Sequence, residues 1–422
     1  MDIKIIPSKL HGTVNAVSSK SYAHRILIAA ALSEKETVIN LNAFSDDINA
    51  TIECLCALGA KISSNSNSIK VIPAKVPKNA VLDCKESGST LRFLIPVACA
   101  LCDHSEFIGQ GRLPDRPISP LREEMEKNGC SFSAVGEFPI KVSGKLKSGK
   151  FHLSGNVSSQ FITGLLFALP LLNEDSEIIL TSQLESKPYV DMTIEILNKF
   201  NIEIKEEHNS YFIKGNQKYI SPKEITVEGD WSNSAFWLCC GALGSDITVS
   251  GLSASSLQGD KAVLDILKSM GANIKTENNL IKVSAPNELK SAEINASQAP
   301  DLIPVLSVVS AFAKGDTIIS NAQRLRLKEC DRLSAISNCL NALGGQACET
   351  PDSLVIHGVP KISGGTADSF NDHRIVMSLS VLASRAENPV IITNADAINK
   401  SYPSFFEDYK SLGGNFYVIN NG

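Results

Sequence analysis

Apolar and polar positions follow two rhythms along this 422-residue chain, and the rhythms recur in a fixed order. A short β-prone strand leads into a polar cluster. An apolar helix of about three turns follows, then a β-branched strand, then a second helix whose apolar residues keep to one face, then one or two closing strands. In the first such unit the predicted helices are residues 19–32 and 46–58. Ala29-Ala30-Ala31-Leu32 is apolar throughout, which predicts an enclosed helix. Asp46-Asp47-Ile48-Asn49-Ala50-Thr51-Ile52-Glu53 alternates faces, which predicts one that meets water. The second helix stops at a Gly or Asn that serves as its C-terminal cap. These stops are Gly59, Gly129, Asn201, Gly271, Gly344 and Gly413, at intervals of 70, 72, 70, 73 and 69 residues. Six units fill the chain. They exceed one core, so the pattern predicts a three-plus-three division with its midpoint near residues 226–231. The period is too long for the common solenoids. Ser63-Ser64-Asn65-Ser66-Asn67-Ser68 reads as a hairpin turn.

Composition narrows the function classes. The formal net charge of −5 argues against a general nucleic-acid binder, and no nucleic-acid partner is expected. A hydrophobic share of 43% excludes intrinsic disorder. No uncharged apolar run reaches about 18 residues, so no membrane span is expected. The opening Met1-Asp2-Ile3-Lys4-Ile5-Ile6-Pro7-Ser8 lacks a long apolar segment and predicts no signal peptide. Eleven cysteines, mostly in apolar helical text, predict buried free thiols and a cytoplasmic protein. Cys99-Ala100-Leu101-Cys102 stands alone, with no second pair and no His at zinc spacing, so no metal or redox role is expected of it.

Candidate chemistry lies where each leading strand meets its first helix. The junctions are Ser18-Ser19-Lys20-Ser21, Ser87-Gly88-Ser89-Thr90, Val157-Ser158-Ser159-Gln160, Asp230-Trp231-Ser232-Asn233-Ser234, Gln298-Ala299-Pro300-Asp301 and Phe370-Asn371-Asp372-His373-Arg374. Capping alone accounts for many of the Ser, Asn, Asp and Pro residues. It does not account for Lys20, Arg25, Arg92 and Arg374, which crowd cations onto the positive ends of helix dipoles. Backbone N–H groups, hydroxyls and Lys or Arg at a helix start make a phosphate or carboxylate site. Gly111-Arg112-Leu113-Pro114-Asp115-Arg116-Pro117-Ile118 adds a rigid Arg-bearing loop. Arg324, Arg326 and Lys328 alternate as on a strand, and Glu329-Cys330-Asp331-Arg332 opens the next helix. Glu329, between Lys328 and Arg332, is a candidate acid/base.

These strings, in this order and across the whole chain, closely resemble the 3-phosphoshikimate 1-carboxyvinyltransferase (EPSP synthase) family. The telling ones are Ser19-Lys20-Ser21 with Arg25, Gly88 with Arg92, Leu113-Pro114-Asp115-Arg116-Pro117, Ser158-Ser159-Gln160-Phe161 and Ser186-Lys187-Pro188-Tyr189. Val227-Glu228-Gly229-Asp230, Asp301, Leu327-Lys328-Glu329-Cys330-Asp331-Arg332, Asn371-Asp372-His373-Arg374 and Lys400 complete the set. The resemblance implies an α/β fold of two inverted (inside-out) α/β barrel domains, each of three βαβαββ repeats, joined by a two-stranded hinge. One domain would be residues 18–227 and the other residues 1–17 with 228–422, with hinges near 12–18 and 227–231. First-helix N-termini would face the cleft between the domains, and the domains would close over substrate.

The implied reaction moves the enolpyruvyl group of phosphoenolpyruvate to the 5-hydroxyl of shikimate 3-phosphate, releasing phosphate. The implied shikimate 3-phosphate ligands are Lys20, Ser21, Arg25, Ser158, Ser159, Gln160, Ser186, Asp301 and Lys328, with Tyr189 a lesser candidate. For phosphoenolpyruvate they are Lys20, Gly88, Arg116, Gln160, Arg332, Arg374 and Lys400. Asp301 is the candidate base for the hydroxyl proton; Glu329 and Lys20 are candidates for proton transfer at C3. His373 is read as orienting a neighbour. The resemblance implies no cofactor, small-molecule partners only, and a monomer. The rivals are the sister transferase acting on UDP-N-acetylglucosamine, which commonly carries a cysteine in the loop matching residues 111–117, and a non-catalytic anion-binding protein. No cysteine occurs in that loop.

Overall fold

The six residues that stop the second helices all adopt left-handed backbone. Gly59 has φ 98°, Gly129 98°, Asn201 61°, Gly271 93°, Gly344 97° and Gly413 89°. A helix ends where the chain enters this region, which Gly tolerates freely and Asn at small cost. The computed structural model describes residues 1–73 and 76–420.

Each repeat contributes to one four-stranded sheet. The second repeat shows the plan. Asn79–Asp83 runs parallel to His104–Ile108, which pairs antiparallel with Ile140–Ser143, itself antiparallel to Ser131–Phe132. Between the two parallel strands lies the helix Gly88–Leu101, the crossover that parallel pairing requires. The strand Asn79–Asp83 alternates exposed and buried side chains, as expected of a sheet with one face to the core.

The chain divides into two compact units, Ser18–Val227 and Met1–Val17 with Glu228–Gly422. Simple repetition along the chain would keep each leading strand in its own repeat, but two strands are exchanged. His11–Asn15 precedes the first helix of the chain, yet pairs in parallel with Asp246–Ser250. Glu224–Thr226 precedes the helix Trp231–Ala242, yet pairs in parallel with Thr37–Asn40. Asp2–Ile6 completes the last sheet, between Val390–Thr393 and Asn415–Asn420.

The first helices form the interior. In the unit holding residues 228–422, helices Trp231–Ala242, Ile303–Ser310 and His373–Ala383 pack on one another, and every residue of all three is buried. Their hydroxyls bond inward: Ser307, Ser310 and Ser380 each donate to the carbonyl four residues back, at 2.8, 2.8 and 2.9 Å. In the other unit Gly88–Leu101 packs on Ser159–Ala168. Helices inside and sheets outside give each unit the inside-out α/β barrel plan. Among the described residues no helix is long and apolar enough to cross a membrane. All eleven cysteines are free, and only Cys56 and Cys348 are exposed.

Candidate active site

In the Ser18–Val227 unit, Ser19 caps the helix Lys20–Leu32 by accepting from Tyr22 N. Lys20 is thus the first helical residue, followed by Ser21. Lys20 Nζ lies 2.7 Å from Asp47 Oδ2. One turn on, Arg25 is buried and donates to Ser21 O at 2.8 Å, Tyr189 O at 2.9 Å and Thr193 Oγ1 at 2.9 Å. Its guanidinium lies 5.1 Å from the Phe93 ring centroid and 5.9 Å from that of Tyr189. Burial draws Arg25 down to about 10, against smaller opposing contributions from Tyr189 and Tyr22.

A second group forms around Gly88. Ser87 caps the Gly88–Leu101 helix through Thr90 N. The Arg116 guanidinium lies against Gly88, so close that a Cβ there would fall 2.6 Å from Nη1. Arg116 follows the 3₁₀ turn Leu113–Asp115 and is buried. Arg92 donates to Pro117 O at 3.0 and 3.3 Å and to Gln160 Oε1 at 2.8 Å, while Gln160 Nε2 donates to Ser89 Oγ at 2.9 Å. Arg92 therefore fixes both Gln160 and the segment bearing Arg116. Ser158 caps the Ser159–Ala168 helix through Gln160 N, and Ser159 is buried beside it. Ser186 is buried in left-handed backbone, φ 55° and ψ 38°, just before the helix Lys187–Lys199 that carries Tyr189. Such strain in a non-Gly residue is found at functional positions.

The other unit gathers Asp301, Lys328, Glu329, Arg332 and Arg374. The Arg332 side chain is 1% exposed. Its Nη1 donates to Asp301 Oδ1 at 2.8 Å, Nη2 to Glu329 Oε2 at 2.6 Å and Nε to Asp372 Oδ2 at 2.7 Å. Arg374 Nη2 donates to Asp301 Oδ2 at 3.2 Å, and Lys328 Nζ lies 3.4 Å from Asp301 Oδ1. Burial pushes the Asp301 carboxyl up, but Arg374, Lys328 and Arg332 together outweigh it and hold it well below the usual carboxylate range. Burial draws the Lys328 ammonium down to about 8, with Arg332 and Arg324 acting the same way and Asp301 opposing. Burial also opposes the charge on Arg332, but Asp372, Glu329 and Asp301 hold it firmly protonated. Lys400 ends the 3₁₀ helix Ala395–Lys400 and donates to Asn371 O at 2.7 Å. Phe370 and Asn371, both left-handed, lead into Asp372, which caps the helix that opens at His373.

Two features depart from the sequence reading. Arg324, Arg326 and Lys328 do not alternate on a strand, because residues Gln323–Leu327 wind as a 3₁₀ helix. The turn buries Leu325, leaves Leu327 exposed, and brings Arg326 to Asp331 and Glu349, each at 2.7 Å. Nor must the cations at helix starts wait for a bound anion. Asp47 faces Lys20, and Asp301, Glu329 and Asp372 face Arg332. Asp47 and Asp372 are counter-ions to which the sequence reading gave no role. Their signal was present: each acid stands at or beside an N-terminus, where an anion is favoured in any case, and this concealed its second role.

A model of the EPSP synthase (3-phosphoshikimate 1-carboxyvinyltransferase) family matches residues 5–409. The chain is 45% identical over 426 residues to the 3-phosphoshikimate 1-carboxyvinyltransferase of Clostridium novyi (strain NT), covering 98% of each chain. It is 47% identical over 416 residues to that of Clostridium perfringens (strain ATCC 13124), covering 97% of this chain and 98% of the relative. Among solved structures, an EPSP synthase from Acinetobacter baumannii superposes with a TM-score of 0.83 at 24% identity, covering 99% of this chain and 100% of that one. The enolpyruvyl transferase NikO from Streptomyces tendae gives 0.80 at 18% identity, covering 99% and 98%. At those identities the structural likeness concerns the fold.

Proposed function

We infer the activity from one premise: the chain belongs to the EPSP synthase (3-phosphoshikimate 1-carboxyvinyltransferase) family, matched over residues 5–409. It transfers the enolpyruvyl group of phosphoenolpyruvate to the 5-hydroxyl of shikimate 3-phosphate, giving 5-enolpyruvylshikimate 3-phosphate and phosphate, in the shikimate pathway. That match over almost the whole chain carries the conclusion. The substrates are small and strongly anionic, each phosphoryl group bearing about −1.5 to −2 charge near neutrality, and an acidic protein must meet them with locally grouped cations.

The proposed ligands of shikimate 3-phosphate are Lys20, Ser21, Arg25, Ser158, Ser159, Gln160 and Ser186 in one unit, and Asp301 and Lys328 in the other. Hydroxyls and backbone N–H groups at helix starts suit phosphate, and the Asp301 carboxylate suits ring hydroxyls. Lys20, Gly88, Arg116 and Gln160, with Arg332, Arg374 and Lys400 from the second unit, are proposed for phosphoenolpyruvate. Planar guanidinium forks grip carboxylate and phosphate in pairs of bonds.

The chemistry is addition then elimination. The 5-hydroxyl attacks C2 of phosphoenolpyruvate as C3 gains a proton; the tetrahedral intermediate then loses a C3 proton and phosphate. Asp301 is the proposed acceptor of the hydroxyl proton, with Glu329 and Lys20 the proposed proton carriers at C3. Held by three cations, Asp301 is a weak base. Substrate anions compete for those same cations, and drawing Lys328, Arg332 and Arg374 toward phosphate and carboxylate would raise the basicity of Asp301 when it is needed. We further propose a cytoplasmic monomer; light scattering on the purified chain tests the monomer.

A phosphate-release assay tests the activity. Release is expected with phosphoenolpyruvate and shikimate 3-phosphate together. Release only when UDP-N-acetylglucosamine replaces shikimate 3-phosphate beside phosphoenolpyruvate would transfer the assignment to the sister enzyme, and release with neither acceptor would leave an anion-binding protein.

A further inference from the structure

His24 lies one turn beyond Lys20 and beside Arg25 in the Lys20–Leu32 helix, and it is buried. The proposed chemistry uses neither of its nitrogens. Its Nδ1 is 2.7 Å from Thr51 Oγ1, in the helix Asp46–Ala57. Thr51 Oγ1 is 2.6 Å from Thr90 Oγ1, and Thr90 donates its hydroxyl to Ser87 Oγ at 2.7 Å. Ser87 Oγ also accepts from Thr90 N, the cap of the helix that opens at Gly88.

Counting hydrogens fixes the direction of this chain. Each hydroxyl carries one hydrogen. Thr90 spends its hydrogen on Ser87, so Thr51 must donate to Thr90. Thr51 has then none left for His24, so the hydrogen between them belongs to His24 Nδ1. Burial, with the charges of Lys20 and Arg25, holds the His24 ring neutral by lowering its pKa. A neutral ring protonated at Nδ1 leaves a bare lone pair on Nε2, and Nε2 is a buried atom with no hydrogen-bond partner among the described residues. A hydrocarbon side chain would fill the site without that orphan. What only an imidazole N–H or a similar donor supplies is the first step of the hydroxyl chain.

We propose that His24 is a positioning residue, whose Nδ1–H tautomer starts a one-way relay through Thr51 and Thr90 that orders Ser87 and the helix start at Gly88. The relay ties three helices together: one bearing Lys20 and Arg25, one bearing Asp47, and one whose first residue lies under Arg116. It holds the backbone amides at Gly88 in a fixed aim. This rests on the reading that Gly88 faces phosphoenolpyruvate.

Two measurements on the full-length enzyme test it. Nitrogen-15 NMR of histidine-labelled protein at pH 7 should show His24 protonated at Nδ1 and bare at Nε2. The opposite tautomer, or a doubly protonated ring, overturns the relay whatever the activity. Thr51→Val cuts the relay without touching a proposed ligand, and Thr51→Ser preserves it. The valine variant should raise the KM for phosphoenolpyruvate about tenfold, with kcat and shikimate 3-phosphate affinity within about twofold, and the serine variant should restore wild-type behaviour. An unchanged KM in the valine variant overturns the positioning role. A wild-type enzyme that releases no phosphate overturns the functional reading and the positioning role with it; the spectrum still decides the tautomer.

Discussion

At Lys328 two opposing effects meet on one proton. Desolvation brings its ammonium down to about 8, although Asp301 stands 3.4 Å away. Near pH 8, about half of the molecules therefore carry an uncharged Lys328. A bound phosphate favours the charged form, so binding must take up a proton, and affinity should fall as pH rises through 8. Calorimetry of shikimate 3-phosphate binding at pH 8 in buffers of different ionisation enthalpy should show this uptake, and Lys328→Met should abolish it. A buffer-independent enthalpy in the wild type would place Lys328 away from the phosphate. Asp301 invites a second test. Asp301→Asn removes a negative charge from among three cations, so anion binding should hold or improve. Turnover should nonetheless fall by about 10²–10⁴ with loss of a proton acceptor; Glu329→Gln should also lower turnover far more than binding. Near-normal phosphate release by either variant refutes that residue's proton-transfer role. The cationic members of this cluster were legible in the sequence because Lys and Arg at helix starts break a rule. Of the carboxylates opposite Arg332, Glu329 stands out between two cations and Asp301 through the family resemblance, whereas Asp372 obeys the rule and is given no role. Their pairing rests on contacts such as Arg332 to Asp372, 40 positions apart, that no local pattern records.

The element on which the proposed chemistry converges is the start of an enclosed helix. Ser19, Ser87, Ser158, Asp230 and Asp372 each cap one, and all five stand in junctions that the polar-to-apolar switch marks in the sequence. The second-helix stops were equally legible, since a left-handed residue at a fixed period is a local demand on the backbone. The segment Gln323–Leu327 was not, because alternating charged and apolar residues fit a strand as well as a turn anchored by Arg326 to Asp331 and Glu349. At Gly88 the packing is tight enough to predict a variant. Gly88→Ala would press a methyl group onto the far end of Arg116, a flexible side chain that can yield. The fold should persist while the guanidinium shifts. The KM for phosphoenolpyruvate should rise about tenfold or more, with little change in the denaturation midpoint. An unaltered KM would show that Arg116 does not grip this substrate.

For the whole molecule, the two strands nearest residue 1 matter most. Asp2–Ile6 and His11–Asn15 complete two of the three sheets in the unit that otherwise holds residues 228–422. The six-fold pattern in the sequence counts repeats correctly, but pairing between distant strands lies outside what periodicity records. Ile5 is fully buried between Val390 and Phe416. Ile5→Lys should therefore destabilise by at least about 3 kcal/mol, as expected of an unpaired buried charge. Hydrogen exchange should locate the lost protection in strands Val390–Thr393 and Asn415–Asn420, not in the sheets of residues 18–227. Uniform loss would mean that the two units unfold as one. The same arrangement orders events on the ribosome. Asp2–Ile6 is made long before either neighbour, and gains both only once Val390–Thr393 and Asn415–Asn420 have been synthesised. Until then the helix His373–Ala383 lacks a strand that packs on it, so the sheet holding Asp2–Ile6 is the last of the six to close.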